Sequence, residues 1–144
     1  MASELSNKIK YLMGIKAIDF ANDSFKIILM ASGFVFNKDT HHSYADVSAS
    51  ELATGYGYTR DTKVLTGVAV TEDDTNDRLS VTWSNVTWTA SGGNIGPTPG
   101  AIIYDDTPTT PTANPIVGYI DFGGEQTQVD GGVATISSIE FRLS

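Results

Sequence analysis

The chain contains no cysteine. That absence removes disulfides, thiol catalysis, iron–sulfur clusters and cysteine-ligated zinc, while leaving the redox compartment open. Basic residues are few, with nine Lys and Arg against seventeen Asp and Glu, a formal charge of −8. A sequence pI near 4.4 repels phosphate, so nucleic acid is not an expected partner. No apolar window reaches the length of a membrane span, so no membrane partner is expected either. The opening Met1 to Lys8 lacks the basic region, apolar run and small-residue cleavage site of a secretory signal. Histidine is confined to His41 and His42. Neighbours in an extended segment point opposite ways, so the pair cannot readily share a metal. No Gly-x-Ser-x-Gly elbow supports a hydrolase. Neither enzymatic activity nor a cofactor is expected.

What is present is apolar enough to fold. Hydrophobic residues make up 40% and charged residues only 18% of the chain, a balance unlike that of disordered segments. A chain of 144 residues reads as one domain spanning residues 1–144. Folding should reduce its accessible surface from roughly 22,000 Å² to roughly 7,000 Å².

Helical periodicity is limited to the N-terminus. Ser3, or alternatively Ser6, can cap a helix in which Leu5, Ile9, Leu12 and Met13 share one face, and Gly14 ends it. Residues 1–14 are therefore expected to form a helical arm. Beyond it the texture is β. Strands are expected at Phe25 to Met30, Lys63 to Glu72, Arg78 to Ser91, Ala101 to Tyr104, Ile116 to Phe122 and Val133 to Leu143. Parity slips at Ser84-Asn85 and near Ser137-Ser138 suggest β-bulges. Turns are expected at Gly92-Gly93-Asn94, Gly96 to Gly100 and Gly123-Gly124. Asp130-Gly131-Gly132 carries the strongest hairpin signal. Residues 37–62 read as a long ordered loop with a helical turn around Val47 to Leu52, and loops of that length tend to be functional or to meet a partner. The Thr/Pro-rich segment from Thr107 to Pro115 reads as an exposed loop joining two strands. The expected fold is mainly β, an antiparallel, jelly-roll-like β-sandwich with a short N-terminal helix.

Three groups of residues could carry chemistry or contacts. Asp73, Thr75 and Asp77 alternate as the start of a calcium loop does, without its glycine or its distal glutamate. A solvated strand connection with Asx turns competes with that reading. Trp83 and Trp88 are in phase with apolar neighbours and are expected to stack in the core. Tyr56 and Tyr58, set between Gly55, Gly57 and Arg60 in the long loop, have the character of interface anchors. The apolar face of Leu5, Ile9 and Leu12 must pack on the domain or on a neighbouring subunit.

Several segments taken in order form a recognisable pattern. They are the amphipathic Glu4 to Met13, Gly-Phe-x-Phe-Asn (Gly33 to Asn37), Tyr-Ala-Asp-Val-Ser followed by Glu-Leu-x-x-Gly-x-Gly-Tyr (Tyr44 to Tyr58), and Val-Thr-Trp-Thr-Ala-Ser-Gly-Gly (Val86 to Gly93). Ala-Ile-Ile-Tyr-Asp-Asp (Ala101 to Asp106) and Gly-Tyr-Ile-Asp-Phe-Gly-Gly (Gly118 to Gly124) complete it. Together they resemble a family of small virion proteins of tailed bacteriophages, over nearly the whole chain. The motifs are structural and none separates a head role from a tail role. The resemblance implies a non-enzymatic decoration or cement protein on the outer surface of the mature capsid. Its implied partner is the major capsid protein, and its implied state is a homo-oligomer, a trimer favoured. The interface would draw on Leu5, Ile9, Leu12, Tyr56, Tyr58 and Arg60. A tail or host-attachment module that binds a surface glycan is the alternative.

Overall fold

The computed structural model describes residues 2–144. The protein is mainly β and its sheets are antiparallel. Among the described residues nine strands and two short α-helices follow one another: β1 (Ala2–Leu5), α1 (Asn7–Gly14), β2 (Phe25–Leu29), α2 (Tyr44–Val47), β3 (Ala69–Asp73), β4 (Arg78–Trp83), β5 (Val86–Thr89), β6 (Ile95–Asp105), β7 (Ile116–Gln128), β8 (Val133–Ile136) and β9 (Ile139–Leu143). A four-stranded sheet has the order β1-β7-β6-β2, a three-stranded sheet β3-β4-β9, and β5 pairs with β8. The accessible surface is 7157 Å², as chain length alone leads one to expect.

Both faces of the four-stranded sheet are covered where β2 pairs with β6. One face supplies Phe25, Ile27, Leu29, Ile103 and Val117 to a core shared with Trp83 and Phe141 of the three-stranded sheet, Trp88 and Ile136 of the β5–β8 pair, and Ile9 and Leu12 of α1. The opposite face, with Ile28, Met30, Ile102 and Tyr104, lies under Phe34 and Phe36 of the segment that follows β2 and under Tyr44 and Val47 of α2 in the long loop. The sandwich thus carries a third layer made of loop. That layer explains why Phe25 to Met30 is an unbroken apolar run, because a strand covered on both sides has no solvent face to alternate with.

The N-terminus differs from the expected arm. Ala2 to Leu5 pair with β7, and Leu5 stands opposite Gly118. The helix starts after Ser6, whose N–H bonds the Val117 carbonyl at 2.9 Å. Ser6, not Ser3, is the cap, and Leu5 is a strand residue instead of part of the helical stripe. Met1 of the expected arm lies outside the described residues.

The two parity slips have a common origin. Trp83 faces Ile139 and Val86 faces Ile136, so two residues separate the paired positions on each strand. Neither strand carries an extra residue, so this is a shared corner and not a bulge. The long ladder turns over at Ser84-Asn85 and Ser137-Ser138 together, and its apolar residues keep facing the core. Ser138 takes a φ of 54° at this corner.

Three expected turns also resolve differently. Gly96 to Gly100 lies inside β6, along a stretch that pairs with β7 through two register shifts. β2 covers only the end of β6 from Ala101 onward, so Pro97 and Pro99 sit where one ladder partner is missing. Gly123 and Gly124 lie inside β7. Between the pairs Gly100–Asp121 and Thr98–Gln126 the β7 strand holds more residues than β6, and the surplus loops out as a wide bulge. Asp130-Gly131-Gly132 does form a turn, closed by the Gly132 N–H on the Val129 carbonyl at 3.0 Å. The flanking strands then part, because β8 pairs with β5 and not with β7. The Thr/Pro-rich segment joins β6 to β7 as expected, and β3 is shorter than the expected strand from Lys63.

Candidate functional site: a loop surface ordered by a buried carboxylate

The long loop is organised around Glu51. Its backbone joins the sheet edge, with the Leu52 N–H on the Leu29 carbonyl at 2.8 Å and the Ala31 N–H on the Ser50 carbonyl at 2.7 Å. This delivers the carboxylate into the interior, where the residue is only 4% exposed. Four donors meet it. Oε1 accepts from the Tyr58 hydroxyl at 2.8 Å and the Asp61 N–H at 2.8 Å. Oε2 accepts from the Tyr44 hydroxyl at 2.6 Å and from Arg60 Nε at 3.3 Å. A buried carboxylate is tolerable only when paired and bonded in this way.

The same bonds fix their donors. Burial, reinforced by the adjacent carboxylate, pushes the Tyr44 and Tyr58 hydroxyls well above the ordinary tyrosine range. The shift favours the protonated form, in which each hydroxyl donates to Glu51. Tyr58 also accepts from the Leu29 N–H at 2.9 Å, which closes the free edge of β2. Arg60 additionally donates to the Ser48 carbonyl. The loop's helical turn is α2 followed by a 3-10 turn at Ser48–Ser50. Its start is a capping box in which Asp46 accepts the Ser43 N–H at 3.0 Å.

Beyond Glu51 the chain makes a tight reversal. Gly55 and Tyr58 exchange backbone bonds at 2.8 and 3.0 Å. The two central residues both take positive φ, 56° at Tyr56 and 100° at Gly57, the signature of a type I′ turn. Gly57 has no alternative, since a Cβ there would lie 2.0 Å from the Thr89 carbonyl oxygen. Tyrosine at the preceding position is unusual, because that conformation favours Gly, Asn and Asp. The Tyr56 ring lies over Gly93, where a Cβ would come within 2.5 Å of it, yet the residue is 57% exposed. An exposed aromatic is therefore held in a costly backbone conformation by an otherwise rigid frame.

The expected interface residues separate in this light. Tyr56 is exposed, whereas Tyr58 is 2% exposed and belongs to the core. The turn sends the two rings in different directions. Arg60 is exposed, and its guanidinium reaches in to pair with the buried Glu51. Ile9 and Leu12 are fully buried in the domain's own core, and Leu5 packs against it. That face of α1 has no surface left for a neighbouring subunit, and Tyr11 and Ile15 are what the helix end exposes.

The remaining candidates are also engaged. Trp83 packs against Phe20, Phe25 and Phe141. Trp88 packs against Tyr58 at 5.9 Å, beneath the Lys63 ammonium. Both tryptophans are core residues as expected, with different aromatic neighbours. In the acidic turn, the Asp73 carboxylate accepts the Asn76 N–H and side-chain amide and the Arg78 Nε at 3.2, 2.8 and 2.9 Å. These bonds, the Asn76 amide foremost, lower its pKa. It serves an Asx turn and an ion pair, the strand connection that competes with the calcium reading of Asp73, Thr75 and Asp77. Among the described residues no group of three or more His, Cys, Asp or Glu is placed to hold a metal ion. His41 Nδ1 accepts the Asn37 N–H at 3.0 Å, and His42 Nε2 donates to the Asp39 carbonyl at 2.7 Å.

Two features escaped the sequence reading. Glu51 and Tyr44 carry the loop's internal network. The only sequence trace was a lone acidic residue with tyrosines seven positions to either side. A cleft of about 780 Å³ also opens where Phe34, Val35, Phe36 and Tyr119 meet Glu4, Asp121 and the β7 bulge. Burial, then the charges of Asp121 and Glu125, push the Tyr119 hydroxyl up to about 12. No family model, no curated protein and no solved structure matches this chain.

Proposed function

We propose that the chain is a non-enzymatic structural protein of a tailed-phage virion. It binds the outside of the mature capsid as a decoration or cement subunit and stabilises the junctions between subunits of the major capsid protein. It acts as a homo-oligomer, a trimer favoured. The observation that carries this reading is Tyr56, an exposed ring held at positive φ. Backbone strain of this kind costs on the order of 1–3 kcal/mol and persists only where the surrounding structure holds it; what sets Tyr56 apart from the other positive-φ residues is its exposed aromatic ring. Tyrosine is also among the residues that most often anchor interfaces. The loop beneath it is already ordered by Glu51, so binding pays little conformational entropy there.

The mechanism is passive. A subunit that binds only the mature lattice stabilises that lattice by mass action. An oligomer meeting several coat subunits gains through effective concentration, so modest contacts at each site suffice. Tyr56 and the exposed Tyr11 and Ile15 replace Tyr58 and the buried helix face as the contact residues.

Cosedimentation of the purified chain with mature heads that lack it tests the proposal. Saturable binding in a stoichiometry set by the lattice symmetry is expected. Tyr56→Asn should weaken it by about tenfold, the loss of one aromatic anchor, while leaving stability within about 1 kcal/mol, because asparagine tolerates the turn. Binding that is absent, or indifferent to heads, would overturn the capsid role. Retention on an immobilised glycan in its place would favour host attachment.

A further inference from the structure

The cleft above β7 is independent of Tyr56 and has its own chemistry. Its floor is aromatic. The Phe36 ring stacks on Tyr119 at 5.5 Å, Phe34 meets Tyr119 edge-on at 5.6 Å, and His41 packs on both phenylalanines, stacked on Phe34 at 5.5 Å and tilted to Phe36 at 5.7 Å. At the lip Val35 is 79% exposed, an apolar residue with nothing over it.

Its rim is acidic and pre-positioned. Asp121 Oδ1 accepts the Gly123 N–H at 2.8 Å. Glu125 Oε1 accepts the Gly33 N–H at 2.9 Å and the Ser32 hydroxyl at 3.2 Å. Each carboxylate is thereby held by backbone, with its second oxygen left unbonded by protein. Among the described residues neither takes part in an ion pair. Glu4, the third carboxylate at the cleft, is neutralised by Lys38 at 3.5 Å. The β7 bulge gives this rim its shape, and Gly123 and Gly124 leave open space where side chains would otherwise stand.

We propose that this cleft is a recognition site for an arginine side chain presented by a protein partner. A planar guanidinium can lie against the half-buried Phe34 and Phe36 rings, which the buried Tyr119 backs, and donate to Asp121 and Glu125 on the same rim, while its aliphatic stem runs past Val35. A lysine ammonium can answer the charge without the stacking or the fork of donors. The net charge of −8 adds long-range attraction for a basic segment. This inference goes beyond the virion proposal and does not depend on it, since the site is complete within one chain.

The test is titration of the isotopically labelled chain with acetyl-Gly-Arg-Gly-amide, followed by backbone amide NMR. Saturable shifts confined to Phe34, Val35, Gly123, Gly124 and Glu125 are expected, weakening as salt is added. Lysine in place of arginine should bind more weakly, and glutamine should not bind. The double substitution Asp121→Asn with Glu125→Gln keeps the acceptor oxygens that hold the bulge, so the fold should persist by circular dichroism. Affinity for the arginine peptide should fall by about tenfold or more. Shifts scattered over the surface, equal binding of the glutamine peptide, or a double variant that binds as tightly would each overturn the proposal. Equal binding of lysine and arginine would overturn the choice of arginine. None of these outcomes bears on whether the chain binds capsids.

Discussion

Replacing Glu51 with glutamine changes one oxygen into an amide and should unpin the long loop. Either orientation of the new side chain turns an NH2 group toward two of the four donors. If it replaces Oε1 it faces the Tyr58 hydroxyl and the Asp61 N–H; if it replaces Oε2 it faces the Tyr44 hydroxyl and Arg60 Nε. A tyrosine hydroxyl can rotate and accept, but the Asp61 N–H and Arg60 Nε can only donate. One donor is thus left unmatched. A hydrogen bond to a charged group contributes about 1.5–3 kcal/mol, and a buried donor without an acceptor costs about 1–3 kcal/mol. Arg60 is partly exposed and can recover water, so the orientation that abandons it is the cheaper one. Glu51→Gln should therefore destabilise by about 2–4 kcal/mol. Urea unfolding followed by tryptophan fluorescence measures this, since Trp88 packs on Tyr58. Amide hydrogen exchange at Ala31, Leu52 and Tyr58 should accelerate more than exchange in β6 and β7. A loss under about 0.5 kcal/mol with unchanged exchange in the loop would refute the claim that this carboxylate organises the surface.

Three further outcomes follow from the buried polar groups and the core. Asp105 is fully buried, and its Oδ2 has no donor; burial first, then the neighbouring Asp23 carboxyl, push its pKa up to about 8. Its folded-state pKa is raised, so the stability it contributes is fully present below about pH 4 and is lost as pH rises through 8. Asp105→Asn should remove that decline and be the more stable protein at pH 9, by a few kcal/mol, in parallel thermal melts; a wild type whose stability is flat from pH 5 to 9 would contradict it. The Tyr104 hydroxyl is buried without a partner, so Tyr104→Phe should hold stability or raise it by about 1 kcal/mol in urea unfolding, and a clear loss would show a missed partner. Trp88→Ala should cost about 3–5 kcal/mol in the same assay, and a loss well under 1 kcal/mol would place the ring outside the core.

The strands were legible because hydrophobic periodicity records which faces are buried. β2, β4, β5 and β9 lie where that pattern put them, and β7 begins where expected but runs on to Gln128 through the expected turn at Gly123-Gly124. The errors cluster where local chemistry has two readings. Glycine and proline at 96–100 signal a turn, but also suit a bulged strand missing one neighbour. A parity slip looks the same whether one strand gains a residue or two paired strands turn a corner together, and only the register at Trp83–Ile139 and Val86–Ile136 separates them. Leu5 fits a helical stripe as well as a strand, and β7 decides the matter by pairing with it.

The site was less legible. Tyr56 and Tyr58 stand two apart on either side of Gly57, and the type I′ turn sends one outward and the other to Glu51. Glu51 itself carries no local sign of burial. Its environment consists of Tyr44, Tyr58, Arg60 and the edge of β2, which only the tertiary fold brings together. The aromatic cleft is likewise assembled from the loop at 33–36 and a bulge nearly ninety residues later.

Antibody-gold labelling of intact virions, viewed by electron microscopy, tests the central claim most directly. Regular label over the head, on particles whose heads are mature, is the predicted result. Label confined to the tail, or a head that stays bare, would contradict a capsid-surface role.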